Sequence, residues 1–189
     1  MKKIEESKNY YLESGANEIS IWFYPRKERF TIIFICVWLV FWGVGVVDVL
    51  DSLVLENEGQ ENPLFLMVWL VGWTVGGVYT FIELLWMLAG EQIVEINRES
   101  LKIVKKLGLI SFSKKYEIEH IIDLRICEKE KSKKTNKYYK SSLFKQVGFL
   151  CFHYKGEKKR FGLDIDKLEA ESILNKIKEI SRFSDLQIG

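Results

Sequence analysis

The sequence predicts a membrane α-helical hairpin followed by a small antiparallel β-barrel or bent sheet that is closed by a C-terminal capping α-helix. Two long apolar runs, 30–50 and 64–89, predict the hairpin. Short alternating segments beyond residue 90 predict the strands, and an apolar stripe with helical spacing near the C-terminus predicts the last helix. The predicted parts are therefore an N-terminal segment (1–29), a transmembrane hairpin (30–89) and a β domain (90–189).

Charge is distributed unevenly along the 189 residues. Residues 1–29 carry six Lys/Arg and five Asp/Glu, whereas residues 30–88 carry six acidic residues and no basic one. Residues 89–189 carry twenty-two basic and fifteen acidic residues. The formal net charge of +2 thus hides a cationic C-terminal region attached to an apolar, weakly acidic middle.

The two apolar runs are long enough to cross a bilayer. An α-helix rises about 1.5 Å per residue, so about twenty residues span the hydrocarbon core. The first run follows the basic sequence PRKER (25–29), the second precedes the Lys-rich region, and the connection LENEGQEN (55–62) has no basic residue. The positive-inside rule predicts a multi-pass protein of the cell (inner) membrane with both termini in the cytoplasm.

The two apolar runs contain nearly the same eleven-residue sequence. VWLVFWGVGVV (37–47) and VWLVGWTVGGV (68–78) are identical at eight of eleven positions. Each phrase places two tryptophans at i and i+4, on one helix face, with glycines after them. Small residues let membrane helices approach closely, so these residues predict helix–helix packing within the hairpin; the alternative is docking of a partner or a second copy. The residues are Trp38, Trp42, Trp69, Trp73, Gly43, Gly45, Gly72 and Gly76, with Gly77 beside them.

Three acidic residues lie in or near the predicted spans, Asp48, Asp51 and Glu83. A charged residue inside a membrane indicates a functional site, because placing it in lipid is costly. These three residues lie close to the ends of the spans, where that cost is small and the indication is weaker. The sequence leaves their role open.

The β domain reads as six strands and a helix. Glu91–Asn97 and Ser100–Lys106 alternate and are joined by a tight turn, and Gly108 and Lys155-Gly156 are further turn signals. Asp166 and Glu169 have capping-box spacing at the start of the helix. The other predicted strands are 109–118, 122–128, 148–154 and 158–165, and the helix stripe is Ala170, Ile173, Leu174, Ile177 and Ile180.

This order of elements resembles a known family. A two-helix hairpin that ends in WMLAGEQIVEIN (86–97), followed by strands and by RFGLDIDKLEAESILNKI (160–177), resembles uncharacterised bacterial two-transmembrane-helix proteins with a cytoplasmic PH-like (bacterial PH) domain. The resemblance implies the PH-like fold and carries over no functional residue. It also implies a seventh strand, which Ile19–Tyr24 can supply; an interfacial aromatic anchor is the alternative for that segment.

A lysine-rich insertion, 128–145, separates the fourth and fifth predicted strands. A solvated loop is the plainest interpretation. The functional interpretation is contact with anionic lipid headgroups, because the domain directly follows a membrane helix. Each lysine near the membrane surface would contribute about 1 kcal/mol to such binding. The residues predicted for this contact are Lys131, Lys133, Lys134, Lys137, Tyr138 and Tyr139.

The sequence predicts no enzyme, no cofactor and no metal site. Cys36, Cys127 and Cys151 form no CxxC pair, which favours reduced thiols. His120 and His153 are the only histidines, and a Cys151–His153 nucleophile would lack an orienting group. Nucleic-acid binding is disfavoured because arginines are sparse in the lysine-rich region.

The sequence is compatible with two functions. The first is a non-enzymatic membrane protein whose cytoplasmic PH-like domain is an interaction module for a protein partner or the membrane surface. The alternative is a ligand-triggered two-helix effector that oligomerises and disrupts the membrane. The apolar alternation of the strands favours the first, because an effector needs a polar ligand pocket inside the barrel.

Overall fold

The computed structural model describes residues 3–7, 9–15, 17–55, 63–127 and 148–179. They belong to two compact units, a helical unit (27–85) and a β unit made of 1–26 and 86–189. The strands are β1 (Lys3–Glu6), β2 (Tyr10–Ser14), β3 (Glu18–Phe23), β4 (Gly90–Asn97), β5 (Ser100–Leu107), β6 (Ile110–Glu117), β7 (Ile121–Ile126), β8 (Leu150–Tyr154) and β9 (Glu157–Phe161). The helices are α1 (Arg29–Leu55), α2 (Pro63–Ala89) and α3 (Lys167–Glu179), with a 3-10 turn at Ile118–His120.

Both long helices have the length and composition of membrane spans. Arg29–Leu53 has a mean hydropathy of 2.5 and Leu64–Ala89 one of 1.7, and hardly any residue of either stretch is buried. The core helix of a soluble protein is mostly buried, whereas these two helices are exposed along their length, which is compatible with membrane spans. Helix α1 continues past residue 50, so Asp48 and Asp51 both lie within it.

The two long helices contact each other through tryptophans. The indole Nε1 of Trp42 donates a hydrogen bond to the Trp73 carbonyl oxygen at 3.0 Å, and the Trp38 and Trp73 ring centroids lie 6.3 Å apart. Trp69 stacks on Trp73 at 4.9 Å. A Cβ atom at Gly77 would overlap the Trp42 ring, so a side chain there is incompatible with this contact. The close approach therefore depends on Gly77 in α2 and Trp42 in α1.

Six strands form one antiparallel sheet in the order β1-β2-β3-β4-β5-β6. The sequence left open whether Ile19–Tyr24 joins the β domain. In the structure most of this segment is β3, and Ile19, Ile21 and Phe23 are fully buried. Strand β3 pairs with β4 through Phe23↔Gln92 and Glu18↔Asn97. The helical unit is consequently an insertion between two neighbouring, hydrogen-bonded strands.

The remaining strands form a second sheet, β7-β8-β9. The closed barrel that the sequence offered as one alternative is therefore not formed by the described strands, which make two separate antiparallel sheets. The pattern of alternating apolar residues is the same for a barrel and for two sheets that share a core, so it does not distinguish them. The strand predicted to reach residue 165 ends at Phe161, because Gly162 turns the chain with φ +84°.

Helix α3 begins with the predicted capping box. The Glu169 N–H donates to Asp166 Oδ1 at 2.8 Å, and the Asp166 N–H donates to Glu169 Oε2 at 2.9 Å. The reciprocal pair satisfies two backbone donors that the first helical turn leaves without partners. The apolar stripe faces the core: Ala170, Ile173, Leu174 and Ile177 are buried, while Ile180 lies outside the described residues.

One turn, Gly162–Asp164, ties the second sheet to both ends of the helical insertion. The Gly162 N–H donates to the buried Gln92 Oε1 at 3.0 Å, and Gln92 lies three residues after α2 ends. The Asp164 carboxylate accepts a hydrogen bond from the Arg26 N–H at 2.8 Å, three residues before α1 begins. Two long-range hydrogen bonds thus fix the segment that precedes α1 and the segment that follows α2.

We expect Gly77→Ala to destabilise the hairpin by about 1–3 kcal/mol, because the added methyl group overlaps Trp42 in a packed contact. The matched control is Gly76→Ala, since a Cβ at Gly76 meets nothing within 4 Å. Denaturant titration in micelles, followed by tryptophan fluorescence, measures the free energy of unfolding. Equal stability of the two variants would contradict the assignment of Gly77 as the contact glycine.

We expect Gln92→Leu to lower the stability of the β unit, because it leaves the buried Gly162 N–H without an acceptor. Such a group costs about 1–3 kcal/mol. Glu95→Leu on the same strand is the control, because Glu95 forms a surface ion pair with Lys102 at 3.0 Å, and such pairs contribute less than about 1 kcal/mol. Chemical unfolding of the full chain, monitored by far-UV circular dichroism, compares the two; a smaller loss for Gln92→Leu would refute the role of this hydrogen bond.

Candidate interaction surfaces

The predicted site residues fall into two groups, those outside the described residues and those in α1 and α2. The predicted membrane-contact residues Lys131, Lys133, Lys134, Lys137, Tyr138 and Tyr139 lie outside the described residues. The four tryptophans lie together between α1 and α2, as described above. The predicted packing glycines do not join them: a Cβ at Gly43, Gly45, Gly72 or Gly76 would meet nothing within 4 Å. The GxxxG pair of α2 is thus outside the contact that Gly77 makes.

An exposed apolar tip ends the β5–β6 hairpin. The turn residue Leu109 is fully exposed, Ile110 is 58% exposed and Phe112 is 57% exposed. Side chains alternate along a strand, so Ile110 and Phe112 face the same side as Tyr116, whose ring is buried in the core. The side of β6 that carries the buried Tyr116 thus also carries the exposed Ile110 and Phe112, with Lys114 between Phe112 and Tyr116.

Two lysines flank this tip. Lys105 and Lys106 of β5 pair with Phe112 and Ser111 of β6, close to the turn. Lys105 Nζ lies 5.7 Å from the centroid of the buried Trp86 ring, and Lys106 pairs with Glu91 at 3.1 Å. Apolar side chains with lysines around them form an amphipathic surface, suited to the boundary between headgroups and acyl chains.

The tip is also close to the end of α2. Leu107 pairs with Gly90, which directly follows Ala89, the last residue of the helix. Leu107 pairs on its other side with Ile110. Neighbouring strands lie about 4.8 Å apart, so Ile110 is about 10 Å from the start of β4. The apolar tip and the last residue of a candidate membrane span are thus neighbours within the β unit.

A second surface is a basic groove between β6 and the β8–β9 hairpin, with a volume of about 450 Å³. The Tyr116 and Tyr154 rings meet edge-on at 5.1 Å in its wall, and Lys155 Nζ lies 5.3 Å from the Tyr154 ring centroid. Burial raises the pKa of the Tyr116 phenol above its usual value, so this group keeps its proton at neutral pH. The groove is lined by Lys114, Lys115, Tyr116, Tyr154, Lys155, Glu157 and Lys159.

A bulge in β7 brings an Asp–His pair together. Asp123, with φ +59°, lies where the β7–β8 register shifts, and its Oδ2 contacts His153 Nδ1 at 3.4 Å and Arg125 Nε at 3.3 Å. Its buried Oδ1 has no hydrogen-bond partner in the described part of the chain. The contact orients the imidazole; nucleophilic catalysis would further require a hydroxyl or thiol within hydrogen-bond reach of Nε2. The expectation of a non-enzyme stays a prediction.

Strand pairing also brings together two cysteines that lie far apart in sequence. Cys127 and Cys151 are both buried free thiols on the paired strand region of β7 and β8. The Cys127 thiol donates a hydrogen bond that lowers the pKa of Cys151, helped by Lys158 and Arg125, while the same contact and burial raise the pKa of Cys127. The sequence did not indicate this pair, because no CxxC spacing marks a contact made across strands.

We expect Cys127→Ala to raise the pKa of the Cys151 thiol, because the thiolate loses its main hydrogen-bond donor. The thiolate is followed by its ultraviolet absorbance against pH in a Cys36→Ser background. Cys36→Ser alone is the reference, and its first thiol should ionise below the usual thiol range. An unchanged titration in the Cys127→Ala variant would contradict the thiol–thiol hydrogen bond.

No protein-family model matches the chain, and no curated protein matches it either. The interaction surfaces therefore rest on the geometry of the chain itself, with two helices suited to a membrane and a separate antiparallel β unit.

Proposed function

We propose that the chain is a non-enzymatic, multi-pass membrane protein whose β unit is a PH-like interaction module at the cytoplasmic surface of the cell membrane. The observation that carries this proposal is the apolar, lysine-flanked tip of the β5–β6 hairpin, which lies beside the residue that follows α2.

The strand pairing supports a two-pass topology. Strands β3 and β4 are hydrogen-bonded neighbours, and α1 and α2 lie between them in sequence. A chain that leaves one strand and returns to its neighbour must cross a bilayer an even number of times. Basic flanks at 25–29 and beyond residue 90, with no basic residue in 55–62, favour the cytoplasm for the shared side.

The order of elements supports the PH-like assignment. Strands β3 to β9 are seven in number and are followed by α3, so β3 supplies the strand that the PH-like resemblance implied and the region beyond residue 90 lacked. Strands β1 and β2 then extend the first sheet beyond that pattern.

Energetics favour the membrane surface as the partner of the tip. Burying one exposed leucine side chain contributes about 1.5–3 kcal/mol. A lysine close to an anionic surface adds about 1 kcal/mol. Because α2 already holds the neighbouring Gly90 at the membrane, the tip loses little further freedom on insertion. The membrane surface is thus favoured over a diffusing protein partner at this tip.

The test is a depth measurement on the full chain in nanodiscs that contain anionic lipid. A nitroxide is attached at Leu109→Cys or, as control, at Arg98→Cys in the turn at the opposite end of β5. We expect the Leu109 label to be shielded from a water-soluble relaxation agent and exposed to oxygen, and the Arg98 label to show the reverse. Equal access of the water-soluble agent to both labels would refute membrane contact by the tip.

A second measurement separates insertion from nonspecific adhesion. Ile110→Ser with Phe112→Ser should expose the Leu109 label to water. The control is Leu168→Ser, which removes an apolar side chain that is 75% exposed on α3, and it should leave the label shielded. A label that stays shielded in the double variant would mean that something other than the apolar tip covers this surface.

A further inference from the structure

We infer that the basic groove between β6 and the β8–β9 hairpin is a binding site for a small anion that carries two phosphate groups. This goes beyond the proposed function, because the groove is separate from the apolar tip and needs no insertion into a membrane.

The first argument is uncompensated charge. Four lysines line the groove against one carboxylate, Glu157. Glu157 is engaged by Lys159 in a close ion pair that lowers the pKa of the carboxyl and raises that of the ammonium. Glu157 also interacts electrostatically with Lys114, and no other carboxylate among the described residues pairs with Lys114, Lys115 or Lys155. Like charges that converge on one concave surface raise its potential, and a bound anion relieves their repulsion.

Protection of a sheet edge explains only part of this cluster. Strand β6 is an edge of the six-stranded sheet, and lysines on edge strands prevent pairing with other chains. That role accounts for Lys114 and Lys115. It does not account for Lys155 and Lys159, which come from the other sheet and converge on the same groove.

Lys155 supplies an independent argument. It occupies the turn between β8 and β9 with φ +50°, a conformation that Gly, Asn or Asp adopts at lower cost. Such strain at a turn is retained where the side chain is needed. The turn holds Lys155 Nζ 5.3 Å from the Tyr154 ring centroid, at the mouth of the groove. An asparagine would satisfy the turn and lose the charge.

The chemistry of the lining selects the ligand class. Ammonium groups act as point charges towards phosphate oxygens, and the protonated Tyr116 phenol adds a neutral donor. A volume of about 450 Å³ falls within the range of small-molecule sites, roughly 300–1,000 Å³. A surplus of about three positive charges matches a diphosphate group, whether it belongs to a soluble diphosphate ester or to a phosphorylated lipid headgroup.

The distance along β6 between the groove and the apolar tip bears on whether the ligand is soluble or a lipid headgroup. Lys114 and Tyr116 follow Ile110 by four and six residues, which corresponds to about 14–20 Å along the strand. That exceeds the Debye length of about 8 Å at physiological salt. The groove therefore need not share the headgroup layer that the apolar tip contacts.

The experiment titrates inorganic pyrophosphate into the full chain in phosphatidylcholine nanodiscs, by calorimetry at low salt and neutral pH. The test variant combines Lys114→Gln and Lys155→Gln. The control combines Lys102→Gln and Lys106→Gln, which remove the same charge from β5 outside the groove lining. Loss of two lysines that contact the anion should weaken binding by at least about tenfold in the test variant and by less than about twofold in the control.

Absence of saturable pyrophosphate binding, or an equal loss in both variants, would overturn the inference. Repeating the titration in nanodiscs rich in a phosphorylated phosphoinositide distinguishes the sources. If the affinity for pyrophosphate is unchanged in these nanodiscs, the ligand is a soluble anion. If the phosphoinositide competes with pyrophosphate, and this competition disappears in the Lys114→Gln, Lys155→Gln variant, the ligand is the lipid headgroup. The Ile110→Ser, Phe112→Ser variant should bind pyrophosphate normally, so a failure of the groove and a failure of the apolar tip are observed separately.

Discussion

The pairing of β3 with β4 is the constraint on which the rest of the structure depends. These strands are adjacent in the sheet although sixty-six residues (24–89), which include both long helices, separate Phe23 at the end of β3 from Gly90 at the start of β4. Burial of Ile19, Ile21 and Phe23 against the core supplies the free energy that holds the two strands together. Both ends of the insertion are thereby held side by side.

Several features follow from that pairing. Gly90 starts β4 immediately after α2, and the register with β5 then puts the β5–β6 turn next to it. The Gly162–Asp164 turn bonds to Gln92 and to the Arg26 backbone, so it braces both junctions at once. The tip, the groove and both junctions are thus carried by the strands and turns of the β unit.

Several parts of the structure could be predicted from residue patterns. The apolar runs predicted two helices of spanning length, because hydropathy over twenty residues is a local property. Asp166 and Glu169 predicted the start of α3, because a capping box involves only four consecutive residues. The sequence offered Gly72, Gly76 and Gly77 of α2 as positions for close packing beside the tryptophans, and in the structure Gly77 receives the Trp42 ring. Which of two adjacent glycines contacts the other helix depends on how the helices are rotated relative to each other. Residue spacing along one helix carries no information about that rotation.

The sequence by itself determined the two long apolar helices, the alternating strands and the excess of lysine, because each of these depends on neighbouring residues. Only the tertiary structure decided which strands share a sheet, since alternation is the same in a barrel and in two sheets. It also decided that Lys114 and Lys155, forty-one residues apart, line one groove and that Leu109 lies near the end of α2. Such contacts join residues that are distant along the chain, and pairing between strands brings them together.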